Sequence, residues 1–182
     1  RRDTLAWTLG LTSNPIRGAA RGPEFVRDAN RTLTEVREED VNNVGDEAGV
    51  SVGLEWTPLN GNVANVNAEY NIFQIDTREI SERFPQDGRA MRSRFYQQSE
   101  DEWNSEIGGD YEFDLGPGRL KTIGLWRFEH SPTIASVRTT EANGTISERS
   151  IFEQTVDEGE SILRLEYGWT PREGVDWQIA GE

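Results

Sequence analysis

His130 is the one imidazole in the chain, and Glu129 stands beside it. Acid–base or metal chemistry near neutral pH would start there, because imidazole changes charge in that range and binds metals through either nitrogen. A serine hydrolase would have to recruit this His, yet the Gly-x-Ser-x-Gly turn that raises a nucleophile is missing from the sequence. Asp110 and Glu112 stand two apart, which on a strand places both carboxylates on one face ~7 Å from each other. A glycosidase could use that spacing, but a run of inward polar strand residues accounts for it equally well. With no Cys, disulfides, thiolate zinc sites and cysteine nucleophiles are all excluded. Acidic residues gather at Glu35 to Asp40, Glu100 to Glu106 and Asp157 to Glu160. None of these runs has the Asp-x-Asp-x-Asp-Gly order of a calcium loop, so they are expected to be solvated loops and strand flanks. No catalytic residue, metal ligand or cofactor is assigned. A net charge of -14 also argues against a nucleic-acid partner.

The elements that carry these residues are strands. Apolar residues alternate with polar ones at a period of two nearly everywhere. Leu5, Trp7, Leu9 and Leu11 form one such run, and Val50, Val52, Leu54 and Trp56 a second. Ala64, Val66, Ala68, Tyr70 and Ile72 form a third, and Ile107, Gly109, Tyr111 and Phe113 a fourth. In the fifth, Leu120, Trp126 and Phe128 share a parity that Ile123 and Leu125 break. Leu163, Leu165, Tyr167 and Trp169 make the sixth, and Val175, Trp177 and Ile179 begin a seventh. No run approaches the ~18 to 20 consecutive apolar residues of a membrane helix.

Turn signals join these runs. Asp87-Gly88 and Asn143-Gly144 predict two-residue hairpins of type I′, Pro117-Gly118 a type II turn, and Leu59-Asn60-Gly61 a three-residue turn. Pro171 to Gly174 is a slightly longer one. A two-residue hairpin must switch the parity of the apolar face, whereas a three-residue turn preserves it. The switch occurs across Asp87-Gly88, Pro117-Gly118 and Asn143-Gly144, and parity is kept from Trp56 to Val66. Apolar pattern and turn length therefore agree on one register. The predicted fold is all-β, an antiparallel up-and-down meander of about seven long strands.

The two ends of this sheet differ. Aromatic-tipped strand ends cluster at Trp56-Thr57-Pro58, at Phe113 to Leu120 and at Trp169 to Trp177. The opposite ends carry Arg83, Arg89, Arg92, Arg94, Glu141 and Glu148. Asn62 to Gln86 alone would extend ~80 Å, whereas a tilted strand crosses a bilayer in about 9 to 11 residues. Only the aromatic end suits a membrane. The segment Ser13 to Glu47 predicts the top of the first strand, a long outer loop and the polar upper half of the second. The chain opens Arg1-Arg2-Asp3 without an initiator Met and stops inside an alternating run at Gln178 to Glu182, so residues 1–182 are expected to be a fragment.

The phrases Leu54-Glu55-Trp56-Thr57-Pro58 and Tyr167-Gly168-Trp169-Thr170-Pro171, with Tyr111-Glu112-Phe113-Asp114-Leu115-Gly116-Pro117-Gly118-Arg119-Leu120-Lys121 and Trp126-Arg127-Phe128-Glu129-His130-Ser131, resemble the barrel of TonB-dependent outer-membrane receptors of Gram-negative bacteria. The likeness covers most of the chain as a style of strand and turn. It implies part of a transmembrane β-barrel of 22 strands around a plug, importing an iron chelate, vitamin or carbohydrate with energy from the TonB complex. The plug, the TonB box and a terminal aromatic strand are not in this sequence. The implied partners are outer-membrane lipid, the plug and the remaining strands. Glu69, Asp110, Glu112, Arg127, Glu129, Arg164 and Glu166 would then face the lumen, pairing across strands, holding the plug or touching solute. Trp56, Phe113, Trp169 and Trp177 would be membrane-interface aromatics on the periplasmic side.

Two other classes fit parts of the pattern: a soluble or secreted β-sheet binding or adhesion protein, and another outer-membrane barrel. An open seven-stranded sheet leaves two unpaired edges. The isolated chain is therefore expected to aggregate or fold poorly in plain buffer; a monomeric species with a cooperative melt there would contradict this.

Overall fold

The computed structural model describes residues 4–182; Arg1, Arg2 and Asp3, expected above to open a fragment, lie outside the described residues. Seven strands follow one another: β1 (Thr4–Arg27), β2 (Leu33–Thr57), β3 (Val63–Pro85), β4 (Arg92–Leu115), β5 (Gly118–Glu141), β6 (Ile146–Arg172) and β7 (Val175–Gly181). They form one antiparallel sheet in sequence order. The first six strands hold 23 to 27 residues, and β7 holds 7. At ~3.3 Å per residue the long strands run ~80 Å. No ladder joins β1 to β7 among the described residues, so the sheet is open with two edges.

The register follows the apolar parity. Leu54 stands between Trp7 and Val66, and Ile107 stands between Ala68 and Trp126. Tyr167 stands between Leu120 and Ile179. Ile123 and Leu125, which broke the alternation of β5, sit on the polar face opposite Asp110 and Gly108.

The turns differ from expectation in detail. Arg31 (φ 66) is the one described non-glycine residue with positive φ, so Asp87 and Asn143 do not adopt the left-handed conformation that both centres of a type I′ turn require. At the β5–β6 end, Gly144 N–H instead donates to Glu141 O at 2.9 Å, and the register slips between Thr139 and Thr140. A turn that ends on a left-handed Gly (φ 84) and a bulge satisfies both facts. Leu115 pairs with Gly118, which moves the β4–β5 turn one residue back, to Gly116-Pro117. Proline cannot take positive φ, so the glycine before it does, at φ 60.

The largest difference is the first connection. A long outer loop was expected within Ser13 to Glu47, but β1 continues to Arg27 and turns within residues 28–32. The Asp28 carboxylate accepts the N–H groups of Asn30 at 2.9 Å and Thr32 at 2.8 Å, closing a tight turn. Pro15 and Pro23 read as loop signals, yet they lie in β1. An edge strand tolerates them because half of its N–H groups have no ladder partner to lose.

No apolar side chain is buried among the described residues. The polar face is the more covered one, with Ser81 fully buried while Leu11 on the apolar face is 80% exposed. A sheet curved toward its polar side behaves this way: side chains crowd on the inner face and splay on the outer. Replacing Gly116 with Ala forces a Cβ into the left-handed region and should cost about 1–2 kcal/mol. Gly124→Ala, on an extended strand with open space around it, should cost nothing or stabilise slightly. Urea unfolding in detergent micelles, followed by circular dichroism, checks both; equal midpoints for wild type and Gly116→Ala would refute the turn geometry.

Candidate functional site

Cross-strand register gathers the apolar residues into a single band. On this face, positions from Leu5 to Leu11, Ala48 to Trp56, Ala64 to Ile72, Trp103 to Leu115, Gly118 to Phe128 and Gly159 to Trp169 include no Asp, Glu, Lys or Arg. The band continues onto β7 through Val175, Trp177 and Ile179. Its side chains are open to the surroundings: Trp7 is 69% exposed and Leu163 67%. From Ser105 to Leu115 the strand covers ~33 Å, or ~23 Å of height at a tilt of ~45°.

Aromatic rings mark both borders of the band. At the short-turn end Tyr111 stacks on Phe113 with centroids 5.3 Å apart, Tyr167 on Trp169 at 5.4 Å, and Trp169 meets Trp177 at 5.7 Å. Trp56 stands nearby in the ladder, opposite Leu5 and Ala64. At the upper border Trp103 lies 6.1 Å from Tyr70, 5.4 Å from Phe128 and 5.8 Å from His130. The predicted interface residues Trp56, Phe113, Trp169 and Trp177 thus share the lower border, while the upper cluster around Trp103 was missed. Trp103 sits inside the acidic run Glu100 to Glu106, and that composition concealed it. Counting parity from Phe113 back to Trp103 would have placed it on the apolar face.

His130 lies at the same upper border, with Nδ1 2.6 Å from Asp157 Oδ1. Glu129, its sequence neighbour, points to the opposite face, so the two do not form one site. The run Glu100 to Glu106 divides likewise: Glu100, Glu102 and Glu106 lie on the polar face, and Asp101 joins Trp103 on the other. It belongs to strand β4 rather than to a loop.

All seven predicted lumen residues fall on the polar face, behind the apolar band. All seven are engaged with neighbours on that face. Arg127 pairs with Glu129 at 3.0 Å and Arg164 with Glu166 at 2.8 Å. Asp110 takes a hydrogen bond from Asn65 at 3.2 Å and faces Lys121 at 3.5 Å. Glu112 accepts from Arg119 at 2.6 Å, and Glu69 accepts from Asn71 at 2.8 Å. The register brings Glu69, Glu106, Arg127 and Glu160 into one row, in which Arg127 stands between Glu106 and Glu160 while Glu69 and Glu106 oppose each other as like charges. The Asp110–Lys121 and Glu112–Arg119 pairs cross from β4 to β5 and stiffen the wall.

Sequence reasoning missed a second polar assembly at the far end of this face. Glu35, one of three described polar residues that are buried, accepts from Arg37 Nε at 2.7 Å and from Arg92 Nη2 at 2.6 Å. Reaching Arg92 takes its carboxylate across the last residues of β3, since Glu35 stands opposite Pro85 and Arg92 opposite Arg83. Burial alone would raise the Glu35 carboxyl, but the Arg37 hydrogen bond and the charges of Arg92, Arg37 and Arg83 outweigh it and hold the group below its ordinary value. Glu39 moves the other way, raised by burial and by the neighbouring carboxylates Glu24 and Glu79.

No protein-family model matches the chain. No curated protein matches it. Among solved structures, a chain of the membrane pore complex of pneumolysin, determined by cryoEM, is similar at 9% identity over 90% of this chain and 31% of that one, with a TM-score of 0.15. The chain therefore spans less than a third of that protein, and likeness at this level supports no inference.

Glu35 yields a signed pH prediction. A carboxyl with a depressed folded pKa contributes stability above its unfolded value, here near the ordinary 4.5, and loses it as pH falls through the folded value. Wild type should therefore lose melting temperature on acidification below that point, and Glu35→Gln should flatten this limb. Glu39 works oppositely, since its protonation relieves repulsion. Micellar thermal melts between about pH 6 and pH 3 measure the difference; an identical acid limb in Glu35→Gln would exclude this role.

Proposed function

We propose that this chain is part of the wall of a transmembrane β-barrel in the bacterial outer membrane, of the TonB-dependent receptor type. Such a barrel takes up a solute such as an iron chelate, a vitamin or a carbohydrate. The single observation that supports this reading most strongly is the charge-free apolar band bordered by aromatic rings above and below. Lipid-facing strands of outer-membrane barrels carry an apolar band ~25 Å tall between two aromatic girdles, and the band here has an equivalent height of ~23 Å at ~45° tilt. Backbone groups inside a bilayer must be paired within the protein. An antiparallel ladder does this everywhere except along the free edges of β1 and β7 and along the part of β6 before Leu165, which β7 does not cover; further strands there would complete the barrel.

The opposite face fits the same role. Its ion pairs and amides suit a wall that holds a plug and passes a hydrated solute. The strands continue well past the upper aromatic border, with nearly half of β4 lying beyond Trp103. That excess length suits a receptor whose wall rises above the membrane. The short turns on the aromatic side would face the periplasm. On this reading the plug and the TonB complex are the partners, and the chain itself performs no covalent chemistry.

Val52, opposite Leu9 and Ala68, lies at the middle of the band, while Val44 lies on the same strand face above it. Val52→Arg should lower folding stability in lipid vesicles by about 2–4 kcal/mol, the cost of a cation at mid-bilayer, and Val44→Arg by about 0–1 kcal/mol. The measurement is equilibrium unfolding of vesicle-bound protein by urea, read by band shift on cold electrophoresis. If both substitutions cost the same, the membrane assignment fails.

A further inference from the structure

Three arginines stand directly opposite one another on the polar face. Arg37 of β2 pairs in register with Arg83 of β3, and Arg83 with Arg92 of β4. Like charges in directly opposed strand positions are destabilising, so each needs an explanation. The outer two have one. Arg37 holds Glu24 at 2.8 Å and Glu35 at 2.7 Å, and Arg92 holds the other oxygen of Glu35 at 2.6 Å. Arg94, diagonal to Arg83, pairs with Glu79 at 3.0 Å. Arg83, in the centre, reaches only the Ser81 hydroxyl at 3.4 Å and enters no ion pair among the described residues.

The contrast with the other face is informative. Arg78 and Arg138 also lack a carboxylate, but both sit over the ring of Phe95, at 5.3 and 5.8 Å, where the π face balances their charge. Arg83 has no such partner. Burial and the charges of Arg37, Arg94 and Arg92 disfavour its cation and outweigh the nearby Glu35 carboxylate, which Arg37 and Arg92 already hold, yet a guanidinium does not deprotonate in proteins. The charge stays, half-buried and flanked by two others that Glu35 holds in place.

We propose that Arg83, flanked by Arg37 and Arg92, is a binding site for an oxyanion, a carboxylate or phosphate group carried by a solute at the polar end of the wall. The planar fork of a free guanidinium accepts two oxygens side by side. An anion there would remove the repulsion along the row and gain charge-assisted hydrogen bonds in a partly desolvated setting. The site is local: the chain carries -14 overall, so long-range attraction does not bring anions in. Placing the site on the inner surface rests on the barrel reading proposed above, whereas anion binding at Arg83 does not require a membrane.

The test uses the full chain in zwitterionic micelles at low salt, titrated calorimetrically with inorganic phosphate and, separately, with succinate. Saturable binding of either is expected, and which one saturates names the group. Arg83→Gln should weaken it at least ~10-fold, Arg83→Lys should weaken it less, and Arg138→Gln on the outer face should leave it intact. Without ligand, Arg83→Gln should melt at or above the wild-type temperature because the row loses its central repulsion. The ligand should raise the wild-type melt and leave that of the variant unchanged. Absence of saturable binding to wild type, undiminished binding to Arg83→Gln, or equal loss in Arg138→Gln each overturns the proposal. Failure of the Val52 vesicle test would leave this result standing, so the two readings fail separately.

Discussion

The antiparallel backbone ladder is the interaction on which this molecule depends. An ordinary domain of this length draws its stability from apolar side chains withdrawn from water, and among the described residues none is buried. Strand-to-strand N–H···O=C bonds and the cross-strand pairs mounted on them supply the cohesion instead. Such a ladder fixes register, and register at a period of two fixes which face each side chain joins. A slip of one residue in β5 would carry Arg119, Lys121 and Arg127 into the apolar band and Trp126 into the polar face.

The same ladder assigns different work to the two faces. One is polar, crowded and internally paired; the other is apolar and open. Register on the polar side brings carboxylates and guanidinium groups close enough to pair, and the ends of the strands differ in what they pair. Near the short turns Arg119 of β5 ties to Glu112 and Asp114 of the neighbouring β4 and donates to Gly61 O beyond it. At the far end a buried Glu35 gathers two arginines from strands that are not neighbours, which locks β2 to β4 over the end of β3.

Much of this was legible in the sequence, for a physical reason. Alternation and turn length are independent signals of one register, and where they agreed, as from Tyr70 through Asp87-Gly88 to Tyr111, the ladder follows them. The seven polar residues singled out share a face because parity alone puts them there. What escaped notice was local composition that masks parity. Trp103 was hidden among glutamates, and Pro15 and Pro23 suggested a loop because whether a strand N–H is needed depends on which neighbour it faces, which is a tertiary fact. Turn types were misjudged where glycine's φ decides the geometry, since Asn-Gly and Asp-Gly suit more than one turn. The Arg37–Arg83–Arg92 row could not be seen at all before three strands were aligned.

All six tryptophans lie on the apolar face, between the short turns and the Trp103 row. The ultraviolet emission of the folded chain is therefore a one-sided gauge. It responds to whatever touches the apolar surface, detergent or lipid or a second sheet, and to its depth along the strands. Events on the opposite wall leave it nearly constant. Occupancy of the arginine row would be spectroscopically silent in this channel, so a quiet fluorescence trace says nothing about solute and a great deal about solvent on the outside.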